Sequence, residues 1–401
     1  MKKDNVYGTF GILPKEEMLE VKQDFKKLKI GVPKESSFQE NRISLSPDAV
    51  ALLSHNGHSV VIESMAGNGA NFTDKEFSDA GAEIVFSKEE VFQSDIIVKI
   101  EPPTKSELKL MKKGQQLISA IQLQTREKSY FNDLLKKDIS SVAIEYIKDD
   151  EGKLPLLRIM SEIAGNTSIL IASEYLSNIN SGKGLMLGGV TGISPTDVVI
   201  IGAGTVGEYA CKTAVALGCN VKVFDTSLSR LRRIQNITNR TVSTSMVQPK
   251  SLRKALRRAD VVIGALRSGE GRTPCIVSEG MVEDMKEGSI IIDVSIDHGG
   301  CFETSELTTH KNPVVNKHGV LHYGVPNIAS RVARTSSFAV CSVISPILLR
   351  IGEEGGINNL MRKDEGFRRG VYTFKSMMTN KTLSKMFDFP YKDLDLIISA
   401  L

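Results

Sequence analysis

Three glycines in the middle of the chain have the spacing of a phosphate-binding turn. Gly202, Gly204 and Gly207 form the pattern G-x-G-x-x-G. In such a turn the first glycine permits a tight bend, the second lets the backbone approach a pyrophosphate, and the third lets the following helix pack closely against the strand. An apolar, β-branched run typical of a buried parallel strand, Val198–Ile201, precedes the turn, and a helical pattern over Glu208–Leu217 follows it. Because a helix N-terminus offers free N–H groups to phosphates, this segment is predicted to bind a dinucleotide.

An aspartate ends the next predicted strand, Asn220–Phe224, at position Asp225. A carboxylate there can accept hydrogen bonds from the adenosine ribose hydroxyls and repel a 2′-phosphate, which predicts NAD rather than NADP. Thr205 and Val206, inside the glycine turn, are assigned to the same cofactor site. The alternative is a glycine turn of an α/β fold that binds no ligand.

Charged residues lie near the ends of other predicted strands. Arg42 follows the loop after the first strand, and its guanidinium could hold a carboxylate through two hydrogen bonds; the alternative is a surface arginine. Lys99 interrupts an apolar strand run and precedes Pro102 and Pro103, so we expect it to point into a cleft with a pKa depressed by desolvation. Asp297 follows a buried run and could carry a proton in catalysis.

The strands that would position these residues alternate with helices. In the first half of the chain we predict strands at Lys29–Val32, Ser59–Ile62, Glu83–Val85, Ile96–Ile100, Gln116–Ala120 and Ser141–Glu145. In the second half they follow the glycine unit at Thr241–Met246, Asp260–Leu266, Ser289–Ile296 and Leu321–Val325, after which the chain turns helical. Such alternation predicts an α/β fold with two Rossmann-like, doubly wound parallel-sheet domains.

With 401 residues, the chain is too long for one core. We expect an N-terminal extension at 1–27, a discontinuous substrate domain at 28–155 and 327–401, and a cofactor domain at 156–326. A helix over Ile163–Leu176 would bridge the two domains, and a helix over Ala339–Ile351 would return to the first. A small substrate would then meet the cofactor in the cleft between them.

Composition narrows the possible partners and the compartment. A net charge of +4, from 51 basic and 47 acidic residues, gives no sign of nucleic acid or an anionic membrane. The five cysteines contain no C-x-x-C pair, and four histidines between residues 298 and 322 lack metal-ligand spacing on any one helix, so no metal is expected. The N-terminal stretch lacks an apolar core of signal-peptide length, and no run approaches 18 apolar residues, which predicts a soluble, cytoplasmic protein.

Several motifs together resemble the family of alanine dehydrogenases and transhydrogenase α-subunits. They are, in chain order, GVPKE (31–35), ENRISLSP (40–47), the strand that carries Lys99, MSEIAGN (160–166), GGVTGISPTDVVIIGAGTVGEYA (188–210) and SIDHGGCFETS (295–305). The resemblance implies two Rossmann-like domains joined by long helices, with NAD in the second, and a homo-oligomer, a hexamer. It also implies that the substrate contacts are Arg42, Lys99 and Asn327, that Asp297 lies near the reacting carbon, and that Ser161 contacts the cofactor.

One position departs from the alanine dehydrogenases. They carry a histidine that works on the substrate carbonyl, and here GQQLISAIQLQT places Gln122 at that position. Transhydrogenase α-subunits also have glutamine there. However, they have glutamine at the position of Asp297 and a long insertion before the strand that begins here at Asp260, and this chain has neither.

The resemblance therefore predicts a soluble NAD-dependent L-alanine dehydrogenase that converts L-alanine to pyruvate and ammonium, reversibly. Acid/base work would rest on Lys99, Asp297 or a bound water, because the amide of Gln122 cannot titrate. Two alternatives stay open. One is a nucleotide-binding subunit like the transhydrogenase α-subunit, and the other is a sister dehydrogenase for another amino acid or an opine.

Overall fold

The first half of the chain folds as alternating strands and helices. The computed structural model describes residues 25–37, 39–122, 126–267 and 272–399, so the predicted extension lies almost entirely outside the described residues. The strands are β1 (Lys29–Val32), β2 (Ser59–Glu63), β3 (Glu83–Val85), β4 (Ile96–Val98), β5 (Gln116–Ser119) and β6 (Ser140–Ala143). The helices between them are α1 (Pro47–His55), α2 (Asp74–Asp79), α3 (Lys88–Val91), α4 (Lys105–Leu110) and α5 (Lys128–Lys136).

Local sequence signals explain where these short helices begin. Ser46, Thr73 and Thr104 cap α1, α2 and α4, because each side-chain oxygen accepts a hydrogen bond from a backbone N–H of the first turn. In α2 and α4 a glutamate at the third helical position returns a hydrogen bond to the cap, which completes a capping box. For α4 that glutamate is Glu107, which this box fixes beside the end of β4.

The second half contains another sheet. A long helix, α6 (Pro155–Leu176), leads into it. Its strands are β7 (Asp197–Ile201), β8 (Asn220–Asp225), β9 (Ser243–Met246), β10 (Val261–Gly264), β11 (Ile290–Asp293), β12 (Val314–Lys317) and β13 (Val320–Tyr323). Its helices are α7 (Thr205–Ala216), α8 (Leu228–Ile237), α9 (Pro249–Leu256) and α10 (Glu279–Glu283).

The last part of the chain returns to the first sheet. After α11 (Ala333–Glu353) come α12 (Ile357–Lys363), α13 (Glu365–Arg368), β14 (Val371–Phe374), β15 (Met377–Met378), α14 (Lys381–Phe387) and α15 (Leu394–Ser399). Strand β14 pairs antiparallel with β6 and with β15. The prediction that the chain is helical beyond about residue 326 is therefore wrong over these two short strands.

Both sheets have the doubly wound order. In the described residues the first sheet runs β15-β14-β6-β5-β4-β1-β2-β3, and the second runs β12-β13-β11-β10-β7-β8-β9. Strands β1 to β6 are parallel, as are β7 to β11 and β13, whereas β12 is antiparallel to β13. The predicted α/β class with two doubly wound sheets is confirmed. In such sheets ligands bind at the carboxyl ends of the strands, where the strand order reverses.

Two long helices connect the sheets. Gly165 of α6 lies so close to α7 that a side chain there would collide with the carbonyl oxygen of Val206. Helix α11 contributes Val340, Ile344 and Leu348 to the main core of the first sheet. By length and composition the stretch Ile328–Glu353 could cross a membrane, but half of its apolar window is buried inside the protein, as expected of a core helix.

Candidate active site

The carboxyl ends of the two sheets face each other across a cleft, and Asn327 joins them. Strands β1, β4 and β5 are neighbours, so the residues that follow them share one edge of the first sheet. The side-chain amide of Asn327 donates a hydrogen bond of 2.8 Å to Glu40 Oε2 on this edge. Its backbone N–H donates one of 2.9 Å to Oδ1 of Asp297, after β11 of the second sheet.

The glycine turn after β7 is shaped for a close backbone approach. Gly202 has φ of +111°, and a side chain there would collide with the carbonyl oxygen of Ala265. A side chain at Gly207 would collide with the carbonyl oxygen of Gly202 itself. By contrast, a Cβ at Gly204 would meet no atom within 4 Å and would enter open space in front of α7, which begins at Thr205. The turn thus leaves room for a phosphate at a helix N-terminus.

Asp225 is buried at the end of β8 and holds this turn in place. Its Oδ2 accepts a hydrogen bond of 2.6 Å from the backbone N–H of Ala203, and its Oδ1 accepts one of 2.7 Å from Ser227. Arg230, which is mostly exposed, lies 3.9 Å from Oδ2. A carboxylate has about four acceptor positions, so Asp225 keeps capacity for a ligand hydroxyl. The structure thus gathers at one turn the residues predicted to contact the cofactor, which are Gly202, Gly204, Gly207, Thr205, Val206 and Asp225.

Ser161 lies on α6, one turn before the close contact of Gly165 with α7. Its hydroxyl is half-buried and donates a hydrogen bond of 2.7 Å to the carbonyl of Leu157. Because Gly165 packs against Val206 in the first turn of α7, Ser161 lies one helical turn from this contact.

Arg42 is buried and forms an ion pair with Glu40, two residues before it in the sequence. Its Nε and Nη2 donate to the two carboxylate oxygens of Glu40 at 2.8 and 2.5 Å. Nη1 approaches the sulfur of Met160 on α6 at 3.4 Å. Two hydrogen bonds hold the surrounding segment against α11 and the turn that precedes it. Ser330, in that turn, accepts from the N–H of Asn41, and Ser337, in α11, accepts from that of Ile43. The alternative of a surface arginine is therefore excluded.

Lys99 is also buried, with only 1% of its surface exposed. Its Nζ lies 3.0 Å from Glu35 and 3.4 Å from Glu107. Burial lowers the pKa of Lys99, but the two carboxylates raise it more, so the net shift is upward. The prediction of a depressed pKa is wrong, because the sequence did not reveal that two acids would surround the amine. Lys99 is positively charged and does not suit proton transfer at neutral pH.

A residue that the sequence interpretation missed lies beside Arg42. Glu101 follows β4 and is 7% exposed. Burial and the neighbouring Glu40 raise the pKa of Glu101 to about 8, although Arg42 opposes the shift. Like Lys99, Glu101 comes at the end of an apolar strand and just before two prolines, so the same signal could have found it.

Asp297 lies in a 3₁₀ turn, Val294–His298, directly after β11. Its side chain is accessible in the cleft. Desolvation by the surrounding protein nevertheless raises the pKa of its carboxyl, although the Asn327 N–H, His298 and Arg42 each lower it. Asn327 has a left-handed φ of 55° and precedes the turn that leads into α11. These two residues are therefore brought together with Arg42 and Glu40.

Gln122 lies at the same edge, after β5, with a left-handed φ of 46°. Its backbone N–H donates a hydrogen bond of 3.3 Å to Oε1 of Glu145, which also accepts one of 2.8 Å from Ile121. Burial raises the pKa of Glu145. Glu145 follows the neighbouring strand β6, and its two hydrogen bonds fix the turn after β5. Within the described ranges, no three His, Cys, Asp or Glu side chains are grouped so that they could hold a metal ion.

Comparison with known proteins identifies the family to which this chain belongs. Two family models, the N-terminal and C-terminal domains of alanine dehydrogenase/PNT, match residues 31–164 and 168–381. The chain belongs to the alanine dehydrogenase/PNT family. The predicted resemblance is therefore confirmed.

Individual relatives agree with the family. The chain is 37% identical to alanine dehydrogenase 2 of Staphylococcus aureus (strain USA300) over 369 residues, which cover 92% of this chain and 99% of that protein. It superposes on a solved L-alanine dehydrogenase with a TM-score of 0.84 and 34% identity, over 90% of this chain and 99% of the other. A transhydrogenase from Sinorhizobium meliloti matches with a TM-score of 0.76 but 20% identity, over 88% and 99%, so that likeness concerns the fold alone.

Proposed function

We propose that this protein is an NAD-dependent L-alanine dehydrogenase, which reversibly converts L-alanine, NAD⁺ and water to pyruvate, ammonium, NADH and a proton. The observation that carries the proposal is the double hydrogen bond of Asn327, which holds Glu40 and Asp297 together. It brings the guanidinium of Arg42 into the same cleft as the second sheet, whose glycine turn fits a dinucleotide. Family membership supports the same reaction.

The residues of the second domain fit NAD. The open space before Gly204, the helix N-terminus at Thr205 and the buried carboxylate of Asp225 provide room, N–H donors and a ribose acceptor. Ser161 and Val206 line the same region. When bound, NAD accepts a hydride from the substrate carbon. The negative charge of Asp225 disfavours a 2′-phosphate, so NAD is preferred to NADP. Arg230 opposes this preference, because its positive charge lies 3.9 Å from Asp225 and would attract a 2′-phosphate.

The first domain binds the amino acid. Arg42 presents Nη1 to the substrate carboxylate, while Glu40 fixes the other edge of the guanidinium. The amide of Gln122 donates a hydrogen bond to the carbonyl or imine and orients it. Lys99, fully enclosed by Glu35 and Glu107, is a positioning residue: it holds the ends of β1 and β4 together and keeps the site rigid.

Asp297 carries the proton steps. As a carboxylate it takes the proton of the water that attacks the imine, and then returns a proton to the departing ammonia. Its raised pKa and its access to the cleft suit this role. The N–H of Asn327 fixes one of its oxygens and leaves the other to face the substrate.

We further propose that the substrate domain comprises 28–155 and 327–401, that the cofactor domain comprises 156–326, and that the protein is a cytoplasmic homo-oligomer, a hexamer by family resemblance. A nucleotide-binding subunit like those of transhydrogenases is the second candidate, because Gln122 replaces the histidine of alanine dehydrogenases. A sister dehydrogenase for another amino acid or an opine is the third.

The test is a steady-state assay of the purified full chain. L-Alanine with NAD⁺, and pyruvate with ammonium and NADH, should both give turnover, and NADP(H) should be much poorer in each direction. A protein that binds NADH but turns over no amino acid would support the nucleotide-binding subunit instead. Turnover of another amino acid or an opine without alanine would support the sister dehydrogenase.

A further inference from the structure

Four glutamates and three cations form a cluster around the ends of β1 and β4. Arg42 gives two of its nitrogens to Glu40, and Lys99 lies between Glu35 and Glu107. Lys88 adds a third cation, which lies 2.9 Å from Glu107. These contacts leave Glu101 as the glutamate of this cluster that has no cation.

Glu101 has no cation of its own. Among the lysines, arginines and histidines of the described ranges, none lies within 4 Å of its carboxylate, the ion-pair distance. Its side chain is more than nine-tenths buried, next to Glu40 and within the field of Arg42. A buried carboxyl without a cation either takes a proton or awaits a positive group. The upward shift of its pKa reflects the first outcome when no substrate is bound.

We propose that Glu101 accepts a second ammonium group, so that the enzyme also oxidises L-α-amino acids with a short cationic side chain and prefers them to the analogues that lack the side-chain amine. This rests on the proposed function, because it assumes that the cleft oxidises an amino acid. The reaction is unchanged in form: a diamino acid, NAD⁺ and water give the amino 2-oxo acid, ammonium, NADH and a proton.

The α-ammonium group of the substrate would be a less suitable partner for Glu101 than a side-chain ammonium group. The α-nitrogen must lose a proton before hydride can leave the α-carbon, and an ion pair with a buried carboxylate would stabilise the protonated, unreactive form. A side-chain ammonium stays charged throughout the reaction and carries no such cost.

The required side chain is short. Glu101 and Arg42 come after the neighbouring strands β4 and β1, and they lie close enough that the charge of each shifts the pKa of the other. An α-carboxylate on Arg42 would therefore place a side-chain nitrogen near Glu101 after about two or three methylene groups. L-2,4-Diaminobutyrate and L-ornithine have this length.

The experiment compares amino acids that differ in the side-chain amine. The full chain is assayed with NAD⁺ and either L-2,4-diaminobutyrate or L-2-aminobutyrate, and either L-ornithine or L-norvaline. We expect kcat/KM for each diamino acid to exceed that of its neutral partner by about tenfold or more, because a site built for a polar group discriminates strongly against an analogue that lacks it. In Glu101→Gln this ratio should fall to about one, and in Glu101→Asp it should be partly retained.

Controls separate this inference from misfolding and from the proposed function. Glu89→Gln, on the exposed surface of α3, removes a carboxylate elsewhere and should keep the ratio of the unchanged protein. NADH affinity reports whether the Glu101 variants fold. A ratio near one in the unchanged protein, with alanine still oxidised, overturns this inference and leaves the proposed function standing. No turnover of any amino acid by a protein that binds NADH overturns both.

Discussion

Asn327 donates its side-chain amide to Glu40 across the cleft, with 2.8 Å between Nδ2 and Oε2. Because Glu40 in turn holds Arg42, this single bond sets Arg42, the proposed substrate-binding residue, relative to the second sheet. The backbone of Asn327 adopts φ of 55°, a conformation that is strained for residues other than glycine and is tolerated best by Asn and Asp. Position 327 thus combines a backbone requirement with a side-chain function.

The two roles of Asn327 can be separated by two substitutions. Both Asn327→Gly and Asn327→Ala remove the bond to Glu40 and should lower kcat/KM for L-alanine by about tenfold or more, with NADH affinity nearly unchanged. Asn327→Ala also retains an unfavourable backbone, so it should be less stable than Asn327→Gly by about 1 kcal/mol in urea unfolding. Equal kcat/KM in Asn327→Gly and the unchanged protein would show that the bond to Glu40 does not position the site.

Arg42 is predicted to bind the substrate carboxylate and not the cofactor. Arg42→Ala should lower pyruvate turnover by about a hundredfold or more, while NADH titration gives nearly the original affinity. The substitution also leaves Glu40 buried without its cation, so the melting temperature should fall. The double variant Arg42→Ala with Glu40→Gln should recover stability without recovering turnover. Loss of NADH binding in proportion to turnover would instead mark Arg42 as a folding or cofactor residue.

The Lys99 cluster makes stability depend on acid pH. Burial alone would raise the pKa of Glu107, but Lys99, the N–H of Thr104 and Lys88 lower it to about 2, against an ordinary value of 4.5. A carboxyl whose pKa is lower in the folded state stabilises the protein above the unfolded pKa. That stability is lost as the pH falls from about 4.5 toward 2, and amounts to about 3 kcal/mol.

Urea unfolding at several pH values measures this dependence. The free energy of unfolding of the unchanged protein should decrease more steeply below pH 4.5 than that of Glu107→Gln, which lacks the titrating group. The exposed variant Glu89→Gln should follow the unchanged protein. Identical pH slopes in Glu107→Gln and the unchanged protein would contradict the ion pair with Lys99.

Gln122 limits the acid/base chemistry. The unchanged enzyme should turn over L-alanine more slowly than histidine-bearing relatives by about 10²- to 10⁴-fold, and its pH profile should lack a step near the histidine pKa of about 6.5. Gln122→His should raise turnover and add that step, whereas Asp297→Asn should abolish activity in either background. A Gln122→His protein with no gain and no new step would show that position 122 does not contact the substrate.

The sequence was informative wherever one residue type meets a strict backbone requirement. The glycine turn, Asp225 and most strands depend on local patterns, and the structure has them close to where they were predicted. The exceptions before β14 are β12, which was not predicted, and Ser289–Ile296, whose strand ends at Asp293 because a 3₁₀ turn begins there. The short strands β14 and β15 were missed because β14 pairs with β6, more than 200 positions away, and β15 pairs with β14. The environment of Lys99, which follows β4, depends on Glu35 after β1 and on Glu107 in α4. Three separate elements therefore determine it. The direction of the pKa shift of Lys99 could not be read from one strand end alone. Glu101, by contrast, could have been found from its place after an apolar strand and before two prolines.

In the proposed reaction, hydride passes directly from the α-carbon of an amino acid to NAD in the cleft between the two sheets. The most direct test incubates the purified full chain with NAD⁺ and L-alanine deuterated at the α-carbon, followed by mass spectrometry of the NADH formed. We expect NADH that carries one deuterium, together with pyruvate and ammonium in equal amounts, and about a hundredfold less of each product, or lower still, from Arg42→Ala in the same time. NADH binding without any deuterated NADH, or deuterium transfer only from a labelled reduced nucleotide, would contradict it.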